Sequence, residues 1–361
     1  MKKICIVAGA RPNFIKVAPL IRAIDKTDDI CYRLVYTGKS DDPTLEGSLF
    51  SDLQIARPDV FLGVDCVSLN EITGRVMSAF EVYLQENPAD VVIVVDDLAS
   101  TMAAAIVAKK QGVKLAHLVA GTRSFDIKMP KEINRLVIDG LSDLLFTAGM
   151  SNNSITNREG TEQSRVYMVG NILIDNLRFN HNRWQRPQVF DTMQLREGDY
   201  IVFTLNRKAL LADRLNLQSM LQSVVAKSDG VPVVAPLRGK AKEVVEQLLA
   251  NIDGGSRVSI IEPLGYLEFG YLTLHACGII TDSGNVAEEA TFNGVPCITL
   301  NSYTEHIETV KVGTNVLVGE DAEQLALAVE TLVGGRWKQG SIPDRWDGRS
   351  AERIVSILLN A

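Results

Sequence analysis

A stretch near residue 280 combines residue types that bind anions and hydroxyl groups. The apolar run over residues 277–280 predicts a buried strand, and Asp282 or Ser283 can cap a helix that follows it. The N–H groups and the dipole at such a helix start favour phosphate. Glu288 and Glu289 lie about one turn further on, where a carboxylate can accept hydrogen bonds from two sugar hydroxyls. The stretch is therefore a candidate site for a nucleoside diphosphate, with the ribose hydroxyls bound by a glutamate. An ordinary capped helix with two solvent-facing glutamates explains the same residues.

Basic side chains recur directly after predicted strands, which is where a diphosphate would need them. A lone basic residue is more often a solvated surface charge. Their recurrence favours an anionic ligand, because phosphate oxygens are best met by guanidinium and backbone N–H groups. Ligands of parallel sheets bind at the carboxyl ends of the strands. This rule predicts one crevice around Arg11, Asp97 and residues 117–123, and the recurring residues are Arg11, Lys16, Arg207, Lys208 and Arg238.

Two series of apolar strands and amphipathic helices, joined by short loops, predict an α/β fold with two doubly wound parallel-sheet (Rossmann-like) domains facing a cleft. We expect an N-terminal domain over residues 1–172, with a helix over residues 350–361 crossing back onto it. The second domain, which would bind the nucleotide, covers residues 173–349. Residues 121–135 are expected to form an irregular binding loop.

Composition excludes several classes of function. The chain has 361 residues, 46% of them hydrophobic, a net charge of −7 and no basic run, so we expect no nucleic-acid partner. No apolar run is long enough for a membrane span, and the opening MKKICIVAG is too short in its apolar part for a signal peptide. Five scattered cysteines without a CxxC pair or a Cys/His cluster indicate a reducing, cytoplasmic location and no metal.

Several spaced motifs, in order along nearly the whole chain, are similar to those of one family. They are Gly9-Ala10-Arg11-Pro12, His117-Leu118-Val119-Ala120-Gly121, Pro130-Lys131-Glu132-Ile133-Asn134-Arg135, Gly170-Asn171, and Thr281-Asp282-Ser283-Gly284 with Glu288-Glu289-Ala290. The chain resembles the non-hydrolysing bacterial UDP-N-acetylglucosamine 2-epimerases as a divergent member. The resemblance implies the GT-B architecture, a UDP-sugar or UDP in the interdomain cleft, no cofactor and no metal, a homodimer, and a role in surface-polysaccharide precursor synthesis.

The resemblance also implies roles for individual residues. The family eliminates UDP to leave a 2-acetamidoglucal and then adds UDP back with C2 inverted, which requires a base for the C2 proton. The resemblance implies that Asp97 is a catalytic carboxylate, and Glu132, next to the position of a lost family glutamate, is the second catalytic candidate. The substrate would be bound by Arg11, Lys16, His117, Arg135, Arg207, Ser283, Gly284, Asn285 and Glu289.

Three departures from the family pattern fall on its proton-handling groups. Val119 and Lys131 stand where the family has glutamates, and Asn206 stands where it has a histidine, so only Asp97 remains. Valine cannot transfer a proton. Three residues could replace the lost groups: Lys131 as a base, Glu132 after a small shift of the loop, or Asp96 beside Asp97. We favour the simpler interpretation of an exposed loop lysine and a structural contact from the glutamate.

Three functions stay open on this evidence. The first is an epimerase acting on a UDP-sugar, and the second is a non-catalytic UDP-sugar binder. The third is a GT-B glycosyltransferase that uses the same nucleotide site with a second, acceptor substrate.

Overall fold

The computed structural model describes residues 1–45, 47–159 and 165–361, which divide into two compact units. Unit 1 comprises Met1–Phe179 and Asp344–Ala361, and unit 2 comprises Asn180–Pro343. The division lies at the end of the helix Ile172–Asn180, whereas the boundary expected at residue 172 falls on that helix's first residue.

Unit 1 is built on a seven-stranded sheet in which all the pairings are parallel. The strand order is β3-β2-β1-β4-β5-β6-β7, so the direction of winding reverses between β1 and β4. Continuous apolar runs such as VVIVV in β4 are buried because helices cover both faces of the sheet. The strands are β1 Lys2–Ala8, β2 Ile30–Tyr36, β3 Val60–Phe61, β4 Val91–Val95, β5 Lys114–Ala120, β6 Leu144–Thr147 and β7 Arg165–Met168.

The helices of unit 1 present apolar stripes to this sheet and to one another. Ala103, Ala104 and Ala108 of the fourth helix share a core cluster with Phe80 of the third helix and Val92 of β4. Small alanine side chains allow the close approach of two helices above a strand. The helices are α1 Arg11–Ile24, α2 Leu49–Leu53, α3 Leu69–Glu86, α4 Ala99–Lys110, α5 Pro130–Leu141, α6 Met150–Glu159 and α7 Ile172–Asn180.

Unit 2 repeats the same winding on a six-stranded parallel sheet. Its order is β10-β9-β8-β11-β12-β13, and the reversal lies between β8 and β11. The strands are β8 Ile201–Phe203, β9 Val233–Pro236, β10 Val258–Ile261, β11 Gly278–Thr281, β12 Cys297–Thr299 and β13 Asn315–Leu317. The helices are α8 Val189–Thr192, α9 Lys208–Ala212, α10 Arg214–Lys227, α11 Gly239–Leu249, α12 Tyr266–Leu274, α13 Gly284–Asn293, α14 Glu308–Lys311 and α15 Ala322–Val333.

Two helices of the structure differ from what the sequence predicts. The irregular segment expected over residues 121–135 ends early, because α5 begins at Pro130. Proline is well suited to the first helical position, where its missing N–H has no partner in any case. Helix α15 was not expected, although Asp321 caps it by accepting hydrogen bonds from the N–H groups of Glu323 and Gln324.

The last helix, α16 Ser350–Asn360, and the segment before it belong to unit 1. The Asp175 carboxylate accepts hydrogen bonds from the N–H groups of Ser350 and Ala351 at 3.1 and 2.8 Å. The indole of Trp346 is buried and donates to the carbonyl of Ala148. Lys2 at the start of β1 donates to the carbonyl of Leu358. Residues 344–361 therefore complete the core that the first 179 residues begin. None of the helices in the described part of the chain is long and apolar enough to cross a membrane.

Candidate functional site

A buried polar network joins the two strands at the winding reversal of unit 1. The Asn13 side-chain oxygen accepts hydrogen bonds from the N–H groups of Gly9 and Ala10, and its amide nitrogen donates to Asp96 Oδ2 at 2.8 Å. Lys16 Nζ pairs with Asp96 Oδ1 at 2.6 Å. This network fixes the turn after β1 against the end of β4. Asn13 and Asp96 are 83 residues apart, so no local sequence signal predicts their contact.

Arg11 is half-buried and opens α1 at this reversal. Asp97 follows β4 and is held by the guanidinium of Arg135. Arg135 Nε and one terminal nitrogen donate to Asp97 Oδ2 at 2.8 and 2.6 Å, and Lys131 Nζ lies 3.5 Å from Oδ1. Burial raises the pKa of Asp97, but the charges of Lys131 and Arg135 outweigh that effect and lower it. The carboxylate is therefore held in its ionised form.

Glu132 anchors the loop that precedes α5. One carboxylate oxygen accepts from the Ser124 N–H, the Ser124 hydroxyl and Arg135, and the other accepts from the Phe125 N–H at 3.1 Å. Burial raises its pKa, but these hydrogen bonds prevail and lower it. A catalytic role for Glu132 stays a prediction that would require this loop to move.

His117 lies buried on β5 with both ring nitrogens engaged. Nδ1 lies 2.5 Å from Asp139 Oδ1, and Nε2 lies 2.9 Å from the carbonyl oxygen of Asp96. Asp139 also accepts from the Gly121 N–H and pairs with Arg123 at 2.7 Å. The histidine therefore fixes the Asp96 carbonyl beside Asp97.

Val119 sits in a bulge of β5 with an unusual backbone conformation. The register with β6 shifts between Leu118 and Ala120, and Val119 has φ of 72°. A β-branched residue with positive φ is a steric outlier, and such strain concentrates at functional sites. Gly121, two residues further on, has φ of 76°, and a Cβ there would meet the Asn152 carbonyl oxygen at 2.4 Å. The bulge turns the chain at the sheet edge where Asp97 lies.

The helix start of unit 2 is capped by a serine and exposes a glycine. The Ser283 hydroxyl caps α13 by accepting from the Val286 N–H at 3.5 Å, and the Ser283 N–H donates to Thr281 Oγ1. Gly284 is exposed, and among the described residues only Glu288 Oε1, at 3.9 Å, comes within 4 Å of a Cβ placed there. Asn285 follows, half-buried, in the first turn. This is the geometry an anion needs to reach backbone amides.

Asp282 joins the two strand ends at the reversal of unit 2. Its Oδ2 accepts from the N–H groups of Asn206 and Arg207 at 2.8 and 2.6 Å, and burial raises its pKa. The Arg207 side chain donates to Asn301 Oδ1 and lies 3.2 Å from Glu320. The segment after β8 is thus held directly beside the helix start after β11.

Two buried glutamates follow the helix start. Glu289 is only 8% exposed, and burial, with a smaller contribution from the Glu288 charge, raises its pKa to about 8. Glu288 lies 3.6 Å from His306 Nε2. Glu289 is therefore largely protonated at neutral pH, and its carboxyl group can both donate and accept hydrogen bonds.

The raised pKa of Glu289 predicts that the free energy of unfolding decreases as the pH rises. A carboxyl whose folded pKa exceeds its ordinary value of 4.5 stabilises the fold at low pH, and this stabilisation is lost as pH rises towards about 8. We expect urea unfolding of the wild type to show this decline and Glu289→Gln to lack most of it. Glu243→Gln, at an exposed position, is the control and should decline like the wild type. Parallel curves for wild type and Glu289→Gln would contradict the shifted pKa.

The predicted residues fall into two groups, each within its own unit. The group in unit 1 consists of Arg11 and Lys16 on α1, Asp97 after β4, His117 on β5, and Glu132 and Arg135 on α5. Arg207, Ser283, Gly284, Asn285 and Glu289 surround the reversal of unit 2. Within the described residues, no group of three or more His, Cys, Asp or Glu side chains could hold a metal ion.

Two doubly wound units, each built on a parallel sheet, define an α/β protein of the GT-B class. A family model described as UDP-N-acetylglucosamine 2-epimerase matches residues 22–359. The chain belongs to this UDP-N-acetylglucosamine 2-epimerase family, as its motifs predicted.

Relatives agree with this assignment over nearly their full length. The UDP-N-acetylglucosamine 2-epimerase of Methanocaldococcus jannaschii is 34% identical, covering 99% of this chain and 98% of the relative. A UDP-2,3-diacetamido-2,3-dideoxy-D-glucuronate 2-epimerase of Pseudomonas aeruginosa is also 34% identical, over 92% of each chain. The crystal structure of the M. jannaschii enzyme with UDP-GlcNAc and UDP is 33% identical with a TM-score of 0.87, covering 99% of this chain and all of that one. The predicted fold class is confirmed.

Proposed function

We propose that this protein binds a UDP-sugar, with the diphosphate on the helix start at Ser283, Gly284 and Asn285 and the ribose hydroxyls on Glu289. The observation that carries the proposal is the exposed Gly284 at a capped helix start, one turn before a buried carboxyl. Solved relatives support it, because the M. jannaschii enzyme was crystallised with UDP-GlcNAc and UDP. Arg207, which borders this helix start, would add positive charge near the phosphates.

The reaction we propose is that of the family, inversion at C2 by elimination and re-addition of UDP. Asp97 would handle the proton, while Arg11, Lys16, His117 and Arg135 would form the surroundings of the sugar. A carboxylate held ionised by Arg135 is a weak base, and Val119 contributes no acid or base. We therefore expect slow turnover of UDP-N-acetylglucosamine. The proposed biological role is the synthesis of surface-polysaccharide precursors.

A non-catalytic UDP-sugar binder is the second candidate. It is favoured by Val119 and by Glu132, whose two oxygens are both engaged by the loop and by Arg135. Incubation with UDP-N-acetylglucosamine in heavy water separates the two functions. Deuterium at C2 supports the epimerase, and UDP-sugar binding without deuterium uptake supports the binder.

The UDP site is tested by placing a negative charge at the helix start. Aspartate caps helices as well as serine does, so Ser283→Asp should keep the fold while repelling a diphosphate. We expect calorimetry to show UDP affinity lowered at least about tenfold. Ser68→Asp, at the start of α3 in unit 1, adds the same charge elsewhere and should bind UDP like the wild type. Equal UDP affinity in Ser283→Asp and the wild type would reject this site.

Location and assembly are also proposals. We propose a cytoplasmic protein, supported by five free cysteines, which are typical of a reducing compartment. We propose a homodimer as well, supported by the family resemblance alone. Light scattering on the purified protein gives its mass directly and would contradict the dimer by returning 39.5 kDa.

A further inference from the structure

Helix α5 reaches the end of β4 along two routes. The direct route holds Asp97, whose carbonyl accepts from the Asn134 amide at 2.8 Å and whose carboxylate pairs with Arg135. The indirect route runs from Asp139 to His117 on β5, and from the other ring nitrogen of His117 to the carbonyl oxygen of Asp96. The side chains of His117 and Asp139 are 1% and 7% exposed, so neither contacts a ligand directly.

Asp96 has a backbone conformation that needs support. Its φ of 58° lies in the left-handed region, which persists in a non-glycine residue where the surrounding contacts hold it. Its carboxylate is bound by Asn13 and Lys16, and its N–H donates to the Leu118 carbonyl at 3.3 Å. The contact with His117 holds the carbonyl group, and so fixes the peptide that leads into Asp97.

The partners of His117 determine where its protons lie. Nε2 faces a carbonyl oxygen, which can only accept, so Nε2 carries a proton. Nδ1 lies 2.5 Å from Asp139 Oδ1, and a proton between them belongs to the ring because imidazole is a stronger base than a carboxylate. Asp139 Oδ2 accepts from the Gly121 N–H and pairs with Arg123 at 2.7 Å. Burial raises the pKa of Asp139, but His117 and Arg123 outweigh that effect and lower it.

The charges around Asp139 agree with a ring that is protonated on both nitrogens. Arg123, 2% exposed, pairs with Asp139 at 2.7 Å and with Glu159 at 2.8 Å. An ionised Asp139 beside a neutral ring would leave one guanidinium against two carboxylates. An imidazolium at His117 supplies the second cation, and its hydrogen bond to the Asp96 carbonyl is then charge-assisted and stronger than one between neutral groups.

We infer that His117 is a buried imidazolium and that Asp139, acting through it, is a positioning residue for Asp97. Asp139 keeps the second proton on the ring, the ring holds the Asp96 carbonyl, and the left-handed turn at Asp96 directs Asp97 towards Arg135. The protonation state stands on the contacts of unit 1 alone. The effect of Asp139 on catalysis rests on the UDP-sugar reaction proposed above.

NMR of the ring nitrogens tests the protonation state in the wild-type protein. The chain has four histidines, and substituting His181, His275 and His306 by glutamine in turn assigns the signals of those rings. The remaining signal belongs to His117. In slightly alkaline buffer, where a free imidazole is neutral, we expect protons on both nitrogens of His117. A single proton, on Nε2, would overturn the inference, because Asp139 would then hold the other one.

Asp139→Asn tests the positioning residue, because the amide keeps the shape of the side chain and removes its charge. We expect the His117 ring to keep a proton on Nε2 alone. C2 deuterium exchange in UDP-N-acetylglucosamine should fall about tenfold, with UDP affinity unchanged. Asp175→Asn, the matched control, alters another buried carboxylate of unit 1 and should leave the ring protons and the exchange rate unchanged. Two ring protons, or exchange at the wild-type rate, in Asp139→Asn would overturn the assignment to Asp139.

The readouts separate this inference from the proposed function. The ring protons of His117 are measured without any ligand, so their result holds whether or not UDP binds. A wild-type protein without C2 exchange rejects the epimerase function alone, and amide hydrogen exchange at Asp96 then measures the positioning. We expect that exchange to be about tenfold faster in Asp139→Asn than in the wild type. An unchanged rate at Asp96 would overturn the positioning role.

Discussion

The combined substitution Val119→Glu, Lys131→Glu and Asn206→His is expected to raise C2 deuterium exchange in UDP-N-acetylglucosamine by at least about 10²-fold. The physical reason is that a well-placed acid or base contributes roughly 10²–10⁴-fold. The backbone at residue 119 has φ of 72°, which an unbranched glutamate tolerates at least as well as valine. A glutamate at residue 131 would also lie near Asp97, and two neighbouring carboxylates raise one pKa, as a catalytic acid requires.

The matched control is Val119→Gln with Lys131→Gln and Asn206→His, which keeps the side-chain shapes but cannot transfer protons through residues 119 and 131. It should exchange no faster than the wild type. The measurement is deuterium incorporation at C2 by NMR, with UDP affinity followed in parallel. If UDP affinity is retained and exchange by the glutamate variant does not rise, the idea that the scaffold lacks only its proton-handling groups is wrong.

Arg135→Met is expected to lower the free energy of unfolding by about 3–5 kcal/mol, the usual cost of removing one partner of a buried ion pair. Arg135 is 1% exposed and pairs with both Asp97 and Glu132. Methionine fills the volume of the arginine stem but leaves two buried carboxylates without their main cation. Urea unfolding at neutral pH measures the change.

Acidification gives a second measurement of the same contact. The folded pKa values of Asp97 and Glu132 are lowered, so the stability they provide is lost as pH falls below their ordinary values of 3.8 and 4.5. We expect this loss to be smaller in Arg135→Met than in the wild type. Arg349→Met is the control. The Arg349 side chain is 61% exposed, so its ion pair with Glu352 should contribute less than about 1 kcal/mol to the free energy of unfolding. A change below about 1 kcal/mol in Arg135→Met would contradict the buried-pair account.

Local sequence signals predicted the two sheets and the helix start at Ser283. Continuous apolar runs such as residues 91–95 and 278–281 can be read within a few residues, and so can a serine before a run of good helix formers. The cap, the strand before it and the helix after it depend on neighbours along the chain. The residues around the helix start of unit 2 can therefore be predicted from the sequence alone.

Contacts between distant residues could not be predicted in the same way. Asp96 pairs with Asn13 and Lys16 across more than 80 positions, and no short pattern marks that pairing. The contacts of Glu132 and Lys131 depend on where the loop at Ser124 closes, which no short sequence pattern predicts. The polar composition around Pro130 favours a loop, whereas its position before an amphipathic run is typical of the helix start that the structure has there.

The placement of residues 344–361 in unit 1 has a consequence for biosynthesis. The ribosome releases residues 180–343 before the segment that contributes Trp346 and supplies N–H donors to Asp175. Unit 2 can fold as soon as it emerges, whereas unit 1 must wait for the final helix, although its first strand is made first. The two units therefore complete their folding in the reverse of the order in which their synthesis begins. The incomplete unit 1 is the species that chaperones would bind during translation.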